Sequence, residues 1–287
     1  MAALPSSVQQ VIRDYQFRFK KRFGQNFLGD RNILNRIAES ADLKNIEYVL
    51  EIGTGLGTLT VELAKKSCHV VTIEVDYDLV EILQDILRQD NITVISGDAL
   101  ELDWRALLLA AGWRGETVTF AGNLPYYLTT PLIMRALEGD VRFRQLVVMV
   151  QKEVAQRIAA EPGSKDYGIL SLAVRYHADI TTVMQVSRRA FVPSPDVDST
   201  VIRLDTVEPP VSAPREPMFF VIRAAFGQRR KTLRNCLKPL ARSWGISDTA
   251  LDSVLAESPF DSRARGETLS LQDFSDLTEK LLIQKPS

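Results

Sequence analysis

Cysteine and histidine are nearly absent from this 287-residue chain, which has two of each. Cys68 and Cys236 stand far apart with no C-x-x-C pairing, which argues against a disulfide framework or a zinc site. His69 and His177 border apolar runs and read as packing or surface residues rather than ligands. No metal is therefore expected. Long hydrophobic runs are also missing, and nothing approaches the roughly 18 apolar residues that would read as a membrane span. The opening segment MAALPSSVQQ lacks the basic-then-apolar order of a secretory signal, so no membrane role and a reducing, cytoplasmic setting are expected. Internal repeats and low-complexity tracts are lacking too. Nothing in the chain calls for an oligomer, and a monomer is expected.

Net charge is close to nil, at −1, so bulk charge does not announce a polyanionic partner. Its distribution says more. Between Arg13 and Arg22 there are five cations (Arg13, Arg18, Lys20, Lys21, Arg22) against the single acid Asp14. Between Arg223 and Arg242 lie Arg229, Arg230, Lys231, Arg234 and Lys238 with no acid. Balanced total charge with local basic clusters suits a surface that contacts phosphates, and it equally suits two solvated helix faces.

The richest local signals come in order along the chain. After aromatics interleaved with cations (Tyr15, Phe17, Phe19, Phe23), the run Gly24-Gln25-Asn26-Phe27-Leu28 precedes a helix that Asp30 caps. This arm can lie across a cofactor pocket or simply strap the edge of a sheet. Residues 48–52 read as a buried strand, Gly53-Thr54-Gly55-Leu56-Gly57 as a glycine loop, and Thr58 to Lys66 as a helix. Together they open a nucleotide-binding α/β unit. The next strand ends at Glu74, where a carboxylate suits the two hydroxyls of a ribose. The loop spacing departs from the G-x-G-x-x-G of dinucleotide sites, and acidic Glu51 precedes it. A carboxylate there repels phosphates and tolerates an ammonium or sulfonium, which favours S-adenosylmethionine over NAD. A third strand delivers Asp98, which can accept from the donor's adenine amine or cap the following helix.

An apolar run from Val118 to Ala121, ended by Gly122, then leads into Asn123-Leu124-Pro125-Tyr126. An amide, a backbone nitrogen without a proton and an aromatic ring fall together at the carboxyl end of a strand, where open α/β sheets bind ligands. The ring can stack on a planar base. The carboxamide oxygen and a nearby main-chain carbonyl can accept the two hydrogens of an exocyclic amine. That localises a nitrogen lone pair otherwise delocalised into the base. Taken alone, the same four residues also fit an ordinary turn with a core tyrosine.

Further on, Gln145 to Val150 reads as a strand, Lys152 to Ile158 and Gly168 to Tyr176 as helices, and residues 179–186 and 199–204 as a closing strand pair. The loop between that pair, Arg188 to Pro195, holds Phe191, which is either a second aromatic wall opposite Tyr126 or a buried core residue. Residues 208–217 form a proline-rich linker, and only helical patterns follow it.

The ordered set FGQNFL, EIGTGLGTLT, IEVD, GDAL, NLPYYLTTPLI, FVPSPDVDSTVIRL and AFGQRRKTLRNCL resembles the ribosomal RNA adenine dimethyltransferases, the KsgA-like enzymes, over nearly the whole chain. The resemblance implies a Rossmann-like seven-stranded methyltransferase sheet with one antiparallel strand, plus a small C-terminal all-α domain. It divides the chain into an arm (1–29), a methyltransferase domain (30–207), a linker (208–217) and an RNA-contacting helical domain (218–287). S-adenosylmethionine would be held by Asn26, Leu28, Gly53, Glu74, Asp98 and Asn123. The target adenine would sit between Tyr126 and Phe191, with Asn123 and Pro125 at its amine. Arg22, Arg229, Arg230, Lys231 and Arg234 would contact RNA. The implied substrate is a pair of adjacent adenines near the 3′ end of small-subunit rRNA in a pre-assembled subunit, each dimethylated at N6. An Erm-type enzyme acting on large-subunit rRNA, a non-catalytic assembly factor and a small-molecule methyltransferase are the alternatives.

Overall fold

The computed structural model describes residues 8–44, 47–228, 230–261 and 263–286. Its strands are β1 (Phe27–Leu28), β2 (Tyr48–Ile52), β3 (His69–Glu74), β4 (Ile92–Ser96), β5 (Val118–Asn123), β6 (Phe143–Gln151), β7 (Ala178–Val186), β8 (Phe191–Val192) and β9 (Ser199–Thr206). Seven of them form one sheet in the order β4-β3-β2-β5-β6-β9-β7, and β1 pairs with β8 in a separate two-residue ladder. From β4 to β6 the neighbours are parallel, while β9 runs antiparallel to β6. Strands buried on both faces need near-continuous apolar sequence. Val70-Val71-Thr72-Ile73 and Leu146 to Val150 supply it and are almost fully buried.

Chain order fixes where the crevice opens. The path starts centrally at β2, moves outward through β3 and β4, then returns to β5 on the other side of β2. The connections at β2 and β5 therefore diverge, leaving a gap beyond their carboxyl ends. Gly53 and Asn123 stand at that gap.

The helices of this unit are α1 (Val8–Asp14), α2 (Arg31–Ser40), α3 (Thr58–Ala64), α4 (Tyr77–Ile86), α5 (Trp104–Ala110), α6 (Thr129–Glu138) and the start of α7 (Lys152–Ala159). Asp30, Asp76 and Asp103 accept main-chain N–H groups at the starts of α2, α4 and α5, as short acidic caps do. At α6 no side chain caps the start of the helix. The cap position is Leu128, and the Thr129 hydroxyl bonds the Pro125 carbonyl instead.

Gly122 does not end its strand as the sequence suggests, because β5 continues in register through Asn123, which pairs with Met149. Glycine is needed there for close approach. A Cβ would lie 2.4 Å from the Ile52 carbonyl oxygen.

The second compact unit joins residues 156–178 to 207–287. It contains α8 (Ile169–His177), α9 (Arg215–Phe226), α10 (Leu233–Ser243), α11 (Asp248–Ala256) and α12 (Leu271–Ile283). The compositional break at 208–217 is thus not the whole boundary. Tyr176 packs edge-on against Phe219 at 5.7 Å, and Tyr167 against Phe226 at 6.1 Å, which draws α8 into the helical unit. No helix among the described residues is long and apolar enough to cross a membrane.

Candidate active site

A cleft of about 820 Å³, counting its open mouth, lies over the gap at β2 and β5. The glycine loop forms its floor, with Gly53, Gly55 and Gly57 at φ of 79°, 56° and 71°. At Gly53 the left-handed backbone coincides with a close neighbour, since a Cβ would stand 3.3 Å from the Asn123 carbonyl oxygen.

Glu74 closes one side. Its carboxylate accepts from three main-chain N–H groups, those of Gly55 (2.9 Å), Val75 and Asp76 (both 3.0 Å). These bonds fix its orientation. Burial nonetheless raises its pKa, more than those N–H groups lower it, and the neighbouring Asp76 charge adds to the rise. Asp98 lines the same cleft two residues past the end of β4, one oxygen held by the Leu100 N–H at 2.8 Å. Its loop is braced from α6, because Arg135 donates to the carbonyls of Ala99 and Leu102, each at 2.5 Å, while lying 4.4 Å over the Trp104 ring.

Asn123 and Asn26 meet although 97 positions separate them. The Asn123 carboxamide nitrogen donates to the Asn26 main-chain carbonyl at 3.1 Å. That bond commits the nitrogen and leaves Oδ1 as an acceptor. Tyr126 borders the same cleft, its hydroxyl 2.9 Å from the Ser199 hydroxyl on β9. Tyr127, next in sequence, also lines it and is 58% exposed. Burial chiefly, and then the charges of Asp98 and Glu74, raise the Tyr127 pKa.

Of the sequence-predicted residues, Asn26, Gly53, Glu74, Asp98, Asn123, Pro125 and Tyr126 border the one cleft. Two do not. Leu28 and Phe191 are opposite each other in the β1–β8 ladder, 4% and 3% exposed, in the apolar core that also holds Leu34, Ile37 and Val201. Phe191 is thus the buried residue of the two readings, not an exposed wall facing Tyr126. Glu51 is also displaced from its expected role. It is 1% exposed near the carboxyl end of β2, bordering a smaller pocket that the loop also lines, and burial pushes its pKa up to about 7. The negative character of the main cleft comes from Glu74 and Asp98 instead.

The arm does lie across the site, with Phe23 to Phe27 lining the cleft. Arg22 is exposed, its guanidinium 4.6 Å over the Phe23 ring. In the helical unit Arg230 and Lys231 are exposed, and Arg229 falls outside the described residues. The run from Arg223 to Arg242, acid-free in sequence, gains acids in space. Arg234 forks onto Asp252 at 2.5 and 2.8 Å, and Lys238 and Arg242 pair with Asp248 at 2.6 and 3.1 Å.

Sequence reasoning missed Tyr127, Gln25 and Ser199. The first two neighbour residues it did single out. Ser199 carries no local signal, because its partner is 73 positions away.

The cleft offers two carboxylates, three carboxamides and aromatic surface, with no lysine or arginine among its lining residues. That set suits an uncharged nucleoside carrying a cationic sulfur and is unsuited to a pyrophosphate.

Comparison with known proteins agrees. The model of the family described as ribosomal RNA adenine dimethylase matches residues 16–285. Proteins named ribosomal RNA small subunit methyltransferase A from Bacillus mycoides and Bacillus anthracis are 43% identical over 288 aligned residues, covering 99% of both chains. Among solved structures, a dimethyladenosine transferase from Plasmodium falciparum superposes with a TM-score of 0.74 at 26% identity, covering 88% of this chain and 95% of that one. The 23S rRNA methyltransferase ErmE gives 0.68 at 26% identity, covering 89% and 99%.

Proposed function

The chain belongs to the ribosomal RNA adenine dimethylase family, and from that footing we propose that it dimethylates N6 of two adjacent adenines near the 3′ end of small-subunit rRNA. The substrate is the rRNA within a pre-assembled small subunit in the cytoplasm, and the enzyme acts as a monomer. Glu74 holds the donor's ribose and Asp98 its adenine amine, with Asn26 and Gly53 along the remainder. Leu28 contributes through its main chain, since its side chain is in the core. When bound, S-adenosylmethionine supplies the methyl group and departs as its neutral thioether, and N6 releases one proton to water for each methyl gained.

The observation that carries this reading is the bond from Asn123 to the Asn26 carbonyl. It commits the amide nitrogen, which supports Oδ1 as the group that accepts from the target amine. The second acceptor is the Leu124 carbonyl. The Pro125 carbonyl already accepts from the Leu128 N–H at 2.9 Å and the Thr129 hydroxyl at 3.3 Å. Tyr126, its ring held through Ser199, stacks on the base. Stacking offsets about 1–3 kcal/mol of the cost of drawing a base out of its stack. Positioning supplies the rate, where well-oriented groups contribute on the order of 7–11 kcal/mol. Arg22, Arg230 and Lys231 contact phosphates, as does Arg229 by sequence.

Mass mapping of methylated adenines after incubation with unmodified small subunits and labelled donor tests the proposal. Two adjacent dimethylated adenines near the 3′ end are expected. Label appearing only in large-subunit rRNA would mark an Erm-type enzyme, and no label in either would mark an assembly factor. The Asn123→Ala variant should lose roughly 100-fold in turnover, the scale of a misplaced reacting group. Its RNA affinity should stay within about threefold of wild type, and equal losses in both would remove Asn123 from the chemistry.

A further inference from the structure

Asp76 has no exposed surface, lies two residues past the end of β3, and caps α4 through the Asp78 N–H at 3.2 Å. A carboxylate enclosed to this degree needs partners for its charge. Both come from the arm. Lys20 Nζ lies 2.5 Å from Oδ1, and Gln25 Nε2 donates to Oδ2 at 2.6 Å. Lys20 also pairs with Asp78 at 2.8 Å, and its main-chain N–H donates to Gln25 Oε1 at 2.8 Å. The two ends of the segment 20–25 are therefore tied to each other and to one buried anion. Between them is a single turn, residues 21–23, and the following residues, Gly24 to Phe27, run along the cleft. The same Asp76 donates its main-chain N–H to Glu74 Oε1 at 3.0 Å. One residue thus joins the strap over the cleft to the carboxylate on its wall.

We propose that Lys20, Gln25 and Asp76 are positioning residues for the methyl donor, a latch that holds residues 20–27 over the bound nucleoside and sets how long it stays. This rests on the reading that the cleft takes S-adenosylmethionine. Neither Lys20 nor Asp76 touches the donor. Asp76 acts through Glu74 and the strap, and Lys20 through Asp76. Lys20 is the member to perturb, because its side chain is 27% exposed and its loss leaves the helix cap intact.

The test uses the full chain with three variants, Lys20→Met, Lys20→Arg and Gln25→Leu. Donor dissociation is followed by stopped flow with S-adenosylmethionine, and hydrogen exchange is measured at the amides of residues 20–27 with and without donor. Lys20→Met should speed donor dissociation about tenfold with a much smaller change in association, the usual partition for a lost contact. The donor KM should rise in step, while kcat at saturating donor stays within about twofold, and the strap amides should exchange faster even without donor. Gln25→Leu should act in the same direction, and Lys20→Arg should restore most of the wild-type residence time. Unchanged dissociation in Lys20→Met would overturn the latch, as would a fall in kcat with KM unaltered. If the wild type binds no donor, the donor reading fails on that measurement. The exchange data then decide the latch separately, and strap amides unaffected by Lys20→Met would refute it.

Discussion

Glu51 is a group through which pH should act strongly on this fold. It sits in β2 between Thr72 of β3 and Ala121 of β5, and its Oε2 has no hydrogen-bond partner among the described atoms. Burial drives its pKa from 4.5 to about 7. The nearby Thr60 and Thr72 hydroxyls pull it down, and the Glu74 charge adds to the rise. Unfolding returns the residue to water and to its ordinary value. Below about pH 4.5 it is protonated in both states and costs nothing. Between there and about pH 7 only the unfolded chain ionises, so stability falls as pH rises. Above that, both states are ionised and the full penalty of a buried anion stands. At about 1.4 kcal/mol for each tenfold change in proton affinity, the penalty is about 3 kcal/mol. Roughly 2.5 kcal/mol of it should develop between pH 5 and pH 8. Urea denaturation of the full chain across that range, for wild type and Glu51→Gln, isolates the contribution, because titrating groups that do not interact with Glu51 cancel in the difference. The stability of wild type relative to Glu51→Gln should drop by about 2.5 kcal/mol from the acid to the alkaline end. Parallel profiles would refute the reasoning and mean that Glu51 is solvated or paired in the folded chain.

Other consequences follow from single contacts. Gly122→Ala would set a methyl 2.4 Å from the Ile52 carbonyl oxygen and force β5 away from β2 beside Asn123. It should cost at least about 1–3 kcal/mol and most of the methyl incorporation, and an active, equally stable variant would show that the strands do not approach this closely. Phe191→Ala should destabilise by about 3–5 kcal/mol as a core deletion, while Phe191→Leu should cost under about 1.5 kcal/mol and keep near-normal turnover. Loss of activity in a stable Phe191→Leu variant would return that ring to the base-binding site. In the salt dependence of RNA binding, the double Arg230→Ala, Lys231→Ala variant should lower the slope by about 1.5. Arg234→Ala, whose cation is already forked onto Asp252, should leave the slope unchanged, and an equal drop would show that RNA displaces the ion pair.

The sequence by itself determined the sheet strands, the glycine loop and the places of Glu74, Asp98 and Asn123. Each of these is a local matter. Apolar runs of strand length, glycines where the backbone turns left-handed, and polar residues at or just past a strand end are all written within a dozen residues. The helices of the C-terminal stretch were legible for the same reason. Tertiary structure alone decided what depends on residues far apart. The strand order brought Asn26 to Asn123 and Ser199 to Tyr126, and the pairing of β1 with β8 carried Phe191 and Leu28 into the core rather than to the cleft. It likewise set Asp248 and Asp252 against cations that looked unopposed, enclosed Glu51 where its charge is suppressed, and drew α8 into the helical unit. Burial and ion pairing belong to whatever lies within a few ångströms, and along this chain those neighbours come from many positions away.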